Sequence, residues 1–193
     1  MKNIQFKNIS SEHIKSCFLE ALAGYPELQE RKIAVIQRSI PKTTMRAQPV
    51  FNFLFWNKRS RHYKIELNDY TYDQAMARLE QLDRDVLVGW FAHELGHVMD
   101  YLHRSALNLI GFAIGYLYFP EFRLGAERRA DIIAIEHGFA DAILATKKFI
   151  LEQSNLPNAY RKRIERYYMS PEEVALVVNE TEEEEVVMID KLL

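Results

Sequence analysis

The sequence predicts a single, mainly helical α+β domain with one small sheet, extending over residues 1–193. Several long stretches carry apolar side chains at helical spacing, whereas only three short runs have the β-branched and aromatic content of strands. No linker rich in Pro, Gly or Ser interrupts the chain, and no internal repeat is visible. We expect a core at about residues 30–155, an N-terminal helix at 11–23, and a C-terminal helical extension with an acidic tail at 156–193.

Composition and charge narrow the class of protein. The net charge of -2 gives no reason to expect nucleic acid or an anionic surface as a partner. A lone Cys17 excludes an internal disulfide framework and fits a reducing compartment. The first sixteen residues contain no continuous apolar segment of the kind found in secretory signals, so a cytoplasmic protein is expected. The oligomeric state is left open.

The first predicted elements are a helix and a strand. Ser11 precedes an apolar stripe at helical spacing over Glu12–Ala23, and Gly24 supplies a stop signal. Residues Lys32–Arg38 are short and β-branched, which predicts a strand. The following stretch, Pro41–Pro49, is interpreted as a loop.

Two further runs predict a β-hairpin. Val50–Trp56 and Arg61–Leu67 have strand character and flank a plausible turn at Asn57–Ser60. In the second run polar and apolar residues alternate, which predicts one wet face and favours an edge strand. An edge strand beside an active-site helix can pair with an extended peptide, although a simple covered edge is the alternative. His62 is interpreted as a surface residue.

A second helical pattern, at Tyr72–Leu82, leads into the most informative segment, Asp85–His103. Here His93 and His97 stand four positions apart and project from one helix face, which is the geometry of two ligands on one metal. Zinc suits neutral imidazole, and Glu94, directly after the first histidine, is placed to act on a bound water as general base. The alternative is a satisfied pair of core histidines.

A second acidic motif follows an apolar stretch. Ala106–Phe119 is too short to span a membrane, so a buried helix or helical hairpin is expected, with interfacial membrane contact as a minority alternative. On the next helix, Glu121–Gly138, Glu127 and Asp131 share one face. We interpret Glu127 as the third zinc ligand and Asp131 as the acceptor of the free N–H of a ligand imidazole. A solvated charged face is the alternative.

The motifs HELGHV and ERRADIIAIEHGF together resemble the gluzincin zinc metallopeptidases of the HExxH plus ExxxD type. This group includes prenyl-protein endopeptidases, heat-shock membrane proteases and small soluble minigluzincins, and the likeness covers about residues 61–139. The resemblance implies a zincin-like fold with zinc on His93, His97 and Glu127, with Glu94 polarising water and Asp131 orienting a ligand histidine. The chain departs from the membrane members in lacking membrane-spanning segments.

A metzincin-like site is the rival ligand set. His103 stands where that group places its third histidine, and Met169 resembles the methionine of its conserved turn. However, the metzincin pattern has Gly three residues after the second histidine, where this chain has Asp100. On an unbroken helix His103 would point about 240° away from His97.

The C-terminal region carries helices and an acidic run. Pro157–Tyr168 predicts a basic amphipathic helix, and Ser170 to Glu173 predicts the start of another. Three residues are candidate hydrogen-bond donors to a developing oxyanion: His137, Tyr160 and Tyr167.

The expected function is zinc-dependent hydrolysis of peptide bonds, with a peptide or protein as substrate and Glu94 as general base. Two alternatives remain open. The chain could be a zinc-binding structural or interaction module that cleaves nothing, or a self-inhibited peptidase whose terminal extensions cover the cleft.

Overall fold

The computed structural model describes residues 3–41, 43–71, 77–152, 162, 166–167, 169–170 and 172–179. It confirms a mainly helical α+β architecture with a small mixed sheet. The elements in chain order are β1 Ile4–Lys7, α1 Glu12–Ala23, β2 Ile33–Gln37, β3 Met45–Pro49, β4 Tyr63–Leu67, α2 Arg84–Leu102, α3 Ala106–Tyr118, α4 Pro120–Glu136, α5 Ala140–Glu152 and α6 at residues 172–179.

The sheet has the strand order β1-β2-β4-β3. Strands β1, β2 and β4 run parallel, and β3 pairs antiparallel with β4. The prediction that residues 61–67 form an edge strand is therefore wrong, because β4 lies between two neighbours. The alternation of polar and apolar residues in β4 reflects a polar face of the sheet. On this face the buried Glu66 carboxylate pairs with the partly exposed Arg38, Arg46 and Lys64.

The edge strand on this side is β3, in a stretch that the sequence predicted as loop. An edge position accommodates Pro49, which has no backbone N–H for a second neighbour. The predicted strand at residues 50–56 is also wrong, since Phe53–Trp56 forms a 3₁₀ helix that starts where the Asn52 side chain accepts the N–H of Leu54. The connection from β3 to β4 thus spans residues 50–62 instead of a tight turn.

The predicted helix at residues 72–82 is only partly visible. Its first part, residues 72–76, lies outside the described residues. The remainder contains a short 3₁₀ helix, Leu79–Gln81, in which Leu79 is fully buried.

Helix α2 is the centre of the fold, and α1, α4, α5 and strand β3 pack around it. Every residue from Val86 to Met99 is buried, as expected for a helix that contacts neighbours on all sides. Gly89 permits the close approach of α5, because a Cβ at this position would lie 2.1 Å from the carbonyl oxygen of Ala142. The sheet packs on the same core through edge-to-face contacts that join Phe6, Phe18 and Phe91.

Several helix boundaries follow the sequence signals. The hydroxyl of Ser11 accepts the N–H of Ile14 at the start of α1, and the hydroxyl of Ser105 accepts the N–H of Asn108 at the start of α3. The predicted start before α6 is confirmed, since Ser170 and Glu173 bond each other's backbone N–H in a capping box. Within the described residues, no helix has the length and apolar character needed to cross a membrane.

Candidate metal centre

Helices α2 and α4 bring three potential ligands to one point. The Nε2 atoms of His93 and His97 lie 3.1 and 3.6 Å from Oε2 of Glu127. The three side chains are 6%, 6% and 3% exposed, and their ligand atoms all lie within 4.8 Å of one another. The site therefore has the composition and convergence of a metal-binding group, which the i, i+4 spacing of the histidines predicted.

These residues fit a zinc ion. Bonds of about 2.0–2.1 Å in a tetrahedral arrangement place ligand atoms about 3.3 Å apart, and the two separations lie on either side of that value. Two imidazoles and one carboxylate leave a fourth position for water or substrate, the pattern of catalytic zinc sites. The geometry alone leaves the identity of the metal open, because the same donors suit other divalent ions.

The approach of α4 to α2 depends on Gly96, which lies between the two histidines. A Cβ at Gly96 would stand 2.4 Å from the carbonyl oxygen of Ala130. Ala130 in turn lies between Glu127 and Asp131 on α4. The small residue within the HELGH motif thus sets the distance between the helix that carries the histidines and the helix that carries the acids.

Asp131 holds the ring of His93 in place. Its Oδ1 atom lies 2.7 Å from Nδ1 of His93, so that Nε2 of the same ring faces Glu127. Its Oδ2 atom accepts hydrogen bonds from Nζ of Lys147 at 2.7 Å and from the backbone N–H of Met169 at 3.4 Å. Orientation of a ligand imidazole by a carboxylate is a common feature of histidine metal sites.

The pKa values of the ionisable groups in the site follow from these contacts. Burial lowers the pKa of His93, but Asp131 and Glu127 outweigh it and raise this pKa to about 10. Burial raises the pKa of Asp131, yet Lys147 and His93 hold it at about 2. Glu127 is likewise desolvated, but its bonds to the two imidazoles keep its pKa well below the usual range. The site is thus a network of mutually compensated charges.

Glu94 differs from Glu127 and Asp131 in having less compensation for its burial. Within the described part of the chain its Oε2 atom has no hydrogen-bond partner, although the residue is only 5% exposed. Burial raises the pKa of Glu94, and His97, His93 and the backbone N–H of Ala47 oppose this only in part. A carboxylate with a raised pKa beside a ligand cluster is suited to proton transfer. Glu94 also lines a cavity of about 40 Å³ with Trp90 and Lys147.

Two tyrosines that the sequence did not predict as site residues border the site. The Tyr116 hydroxyl, from the inner face of α3, donates a hydrogen bond to Oε1 of Glu127. The Tyr101 ring stacks on His97 with centroids 6.1 Å apart, and its hydroxyl donates to the carbonyl oxygen of Ala47. Tyr101 lies on the ligand face, four residues after His97, which was an available signal. Tyr116 is brought in by the packing of α3 on α4.

The three predicted oxyanion donors have different placements. His137 stacks on Tyr25 at 4.4 Å, its Nδ1 donates to the carbonyl oxygen of Ile133, and its Nε2 lies 3.6 Å from the Glu27 carboxylate. Tyr167 packs beneath the guanidinium groups of Arg123 and Arg166. Tyr160 lies outside the described residues. Their assignment stays a prediction.

The rival histidine has another position. His103 forms the exposed C-terminal cap of α2, and its carbonyl oxygen accepts a hydrogen bond from Nζ of Lys58. The described residues group Glu127, not His103, with His93 and His97. The geometry therefore favours the carboxylate as third ligand. Comparison with known proteins adds nothing further, since no family model, curated protein or solved structure matches this chain.

Proposed function

We propose that this chain is a zinc-dependent metallopeptidase of the gluzincin type with His93, His97 and Glu127 as ligands. The observation that carries the proposal is the combination of a convergent His-His-Glu group with a separate, incompletely compensated Glu94 beside it. A structural zinc site is normally closed by four protein ligands, whereas the described residues supply three.

The roles of the residues follow from their positions. Zinc held here would supply a Lewis acid that lowers the pKa of water and polarises a scissile carbonyl. Glu94 takes a proton from the attacking water and passes it to the leaving amine, a role that its raised pKa favours. Asp131 keeps His93 in the orientation that presents Nε2 to the ligand group. The Tyr116 hydroxyl stands beside Glu127 as a further hydrogen-bond donor.

The substrate would pair with β3, an edge strand of the sheet, and not with β4, which the sequence predicted as the edge. Backbone hydrogen bonds to the neighbouring strand are made by Thr44 and Val50, which lie just beyond either end of β3. The backbone groups of Met45, Ala47 and Pro49 alternate with the bonded positions and therefore point outward, away from β4. The carbonyl oxygen of Ala47 is reached by the Tyr101 hydroxyl from α2. This outer edge therefore faces the active-site helix, where Ala47 already bonds Tyr101 and Glu94 and the carbonyl oxygen of Met45 accepts from Thr43. An extended peptide would form strand-like hydrogen bonds there only by displacing these internal contacts.

A latent form of the same enzyme is the second candidate. Glu94 and the three ligands are all at most 6% exposed, and the adjoining cavity of about 40 Å³ has room for only a few water molecules. The C-terminal region packs on α4 nearby, through Met169 on Asp131 and an ion pair between Glu173 and Arg128. In such a latent form, this region would have to move before a substrate could enter.

The first experiment combines metal analysis with a cleavage assay. We expect near-stoichiometric zinc in the wild-type chain and in Glu94→Gln, with peptide-library products from the wild type only, either directly or after limited proteolysis. The pair Glu127→Ala and His103→Ala tests the ligand set, and only the first should lose zinc. Full hydrolysis by Glu94→Gln, or a zinc-loaded wild type that cleaves nothing before or after proteolysis, would overturn the proposal.

A further inference from the structure

The outer face of α3 is an extended apolar surface. Leu107, Ile114, Leu117 and Tyr118 are 72%, 51%, 64% and 74% exposed, and Phe119 continues the surface at 60%. No charged residue occurs between Ser105 and Glu121. A surface helix ordinarily presents charged or polar side chains to water, so this face is of the kind that marks an interaction site.

The orientation of α3 is fixed by its inner face. Leu109, Phe112 and Gly115 are buried, and the Phe112 ring packs edge-to-face on Tyr101 and Phe122. The exposure of the outer face is thus a consequence of firm packing on the other side of the helix. Leu107, Ile114 and Leu117 point outward because the opposite face of the helix packs against the core.

A second apolar group lies beside the start of this helix. Phe51, Phe53 and Trp56, in the connection between β3 and β4, are 76%, 84% and 58% exposed. The buried guanidinium of Arg61 joins this connection to the end of α2, because it donates to the carbonyl oxygens of Phe55, Tyr101 and Arg104. The aromatic group and the N-terminal end of α3 are therefore neighbours.

Three cations border the same surface, namely Lys58, Arg104 and Arg123, and Arg59 follows Lys58 in the chain. Lys58 and Arg59 are exposed, and Lys58 binds the carbonyl oxygen of His103 just before α3. Arg104 lies over the Phe112 ring at the start of α3, where it also pairs with Asp100, and Arg123 lies over the Tyr116 ring near the end of the helix. The combination of protruding aliphatic side chains, flanking aromatic rings and adjacent cations is typical of elements that lie in the interface of an anionic lipid bilayer.

We propose that α3, with Phe51, Phe53 and Trp56, docks this protein on the surface of an anionic membrane. The helix has 13 residues and a length of about 20 Å, so it lies in the plane of the interface with its outer face toward the acyl chains. The cations beside it contact the lipid headgroups. This inference is independent of the proposed peptidase activity.

Vesicle sedimentation of the full chain tests the proposal. We compare vesicles of phosphatidylcholine alone with vesicles that also contain phosphatidylglycerol, using the wild type, Leu107→Gln/Leu117→Gln, Lys58→Glu/Arg59→Glu and, as matched control, Leu176→Gln, an exposed leucine on α6. The wild type and control should bind the anionic vesicles. Both double variants should bind at least about tenfold more weakly, because each removes apolar or electrostatic contacts.

Two further measurements keep the test decisive. Circular dichroism checks that each variant is folded, and the emission of Trp56, assigned by comparison with Trp56→Phe, should shift to the blue on vesicle binding. Failure of the wild type to bind either vesicle, or equal binding by the leucine double variant, would overturn the proposal. Light scattering that shows a dimer broken by the same double variant, without vesicle binding, would assign the surface to a second copy instead.

Discussion

The candidate metal site and the outer face of α3 both depart from the usual pattern in which polar groups are exposed and apolar groups are buried. The metal site buries charged side chains, whereas the α3 face exposes apolar ones. The site buries His93, Glu127 and Asp131 at 6% exposure or less, whereas the α3 face leaves Leu107 and Leu117 at 72% and 64%. The buried charges compensate one another through specific contacts, so each depends on its partners. The exposed leucines contribute little to folding, so their occurrence is better explained by contact with something outside the chain.

The largest expected effect tests the compensation of charge inside the site. Lys147→Met removes the ammonium that faces Oδ2 of Asp131, and it leaves a fully buried carboxylate with less compensation. Breaking one partner of a buried ion pair typically costs about 3–5 kcal/mol. We expect the free energy of unfolding, measured by urea denaturation of the metal-free chain, to fall by about this amount.

The matched control is Lys148→Met, the same substitution one position along α5 at an exposed site. Surface substitutions usually change stability by less than about 0.5 kcal/mol. Equal losses for Lys147→Met and Lys148→Met would show that the Asp131 contact contributes nothing, and the view of the site as a compensated network would then fail.

A smaller effect is expected from Gly96→Ala, which alters the distance between α2 and α4. The added methyl group would lie 2.4 Å from the carbonyl oxygen of Ala130, and overpacking of this kind costs about 1–3 kcal/mol. Because α4 carries Glu127, we also expect weaker zinc binding in a chelator competition titration.

Gly125→Ala, on the exposed side of α4, is the control for this helix substitution. A Cβ there meets no atom within 4 Å, so the higher helix propensity of alanine should raise stability by about 0.5–1 kcal/mol. If Gly96→Ala were also stabilising and bound zinc normally, close helix contact would not be what sets the ligand geometry.

Local spacing explains what the sequence could predict. His93, His97, Glu127 and Asp131 were placed on two helix faces by four-residue intervals, which depend only on helical geometry. The role of Lys147 and the position of Tyr116 were missed because they depend on how separate helices pack. In the same way, the alternation around Glu66 indicated a polar face of the sheet, although Glu66 itself is buried. It could not give the strand order, which depends on pairing with residues distant in the chain.

Glu66 offers a milder version of the compensated site, at the sheet surface. Burial raises the pKa of Glu66, but hydrogen bonds and charges from Lys64 and Arg46 outweigh it, so the net shift is downward from 4.5. The stabilisation is therefore complete above pH 4.5 and is lost as the pH falls through the lower folded-state pKa. Glu66→Gln should cost about 1 kcal/mol at neutral pH, since the cations are partly exposed.

Denaturant unfolding as a function of pH checks this expectation. The stability difference between wild type and Glu66→Gln should shrink in acid, whereas Glu136→Gln, at an exposed position of α4, should change stability little at neutral pH. A difference for Glu66→Gln that is constant down to strongly acidic pH would indicate a packing defect instead of a lost ionic contact.

The smallest effect is expected at Leu107 on the outer face of α3, and Leu109 on the inner face of the same helix provides the contrast. Leu109 is 4% exposed, and Leu109→Gln should cost about 2–5 kcal/mol because it removes core packing and buries an amide. Leu107, two residues earlier and 72% exposed, should tolerate the same change within about 0.5 kcal/mol. A large loss of stability for Leu107→Gln would mean that this face is covered within the folded chain, and the membrane surface would then need another explanation.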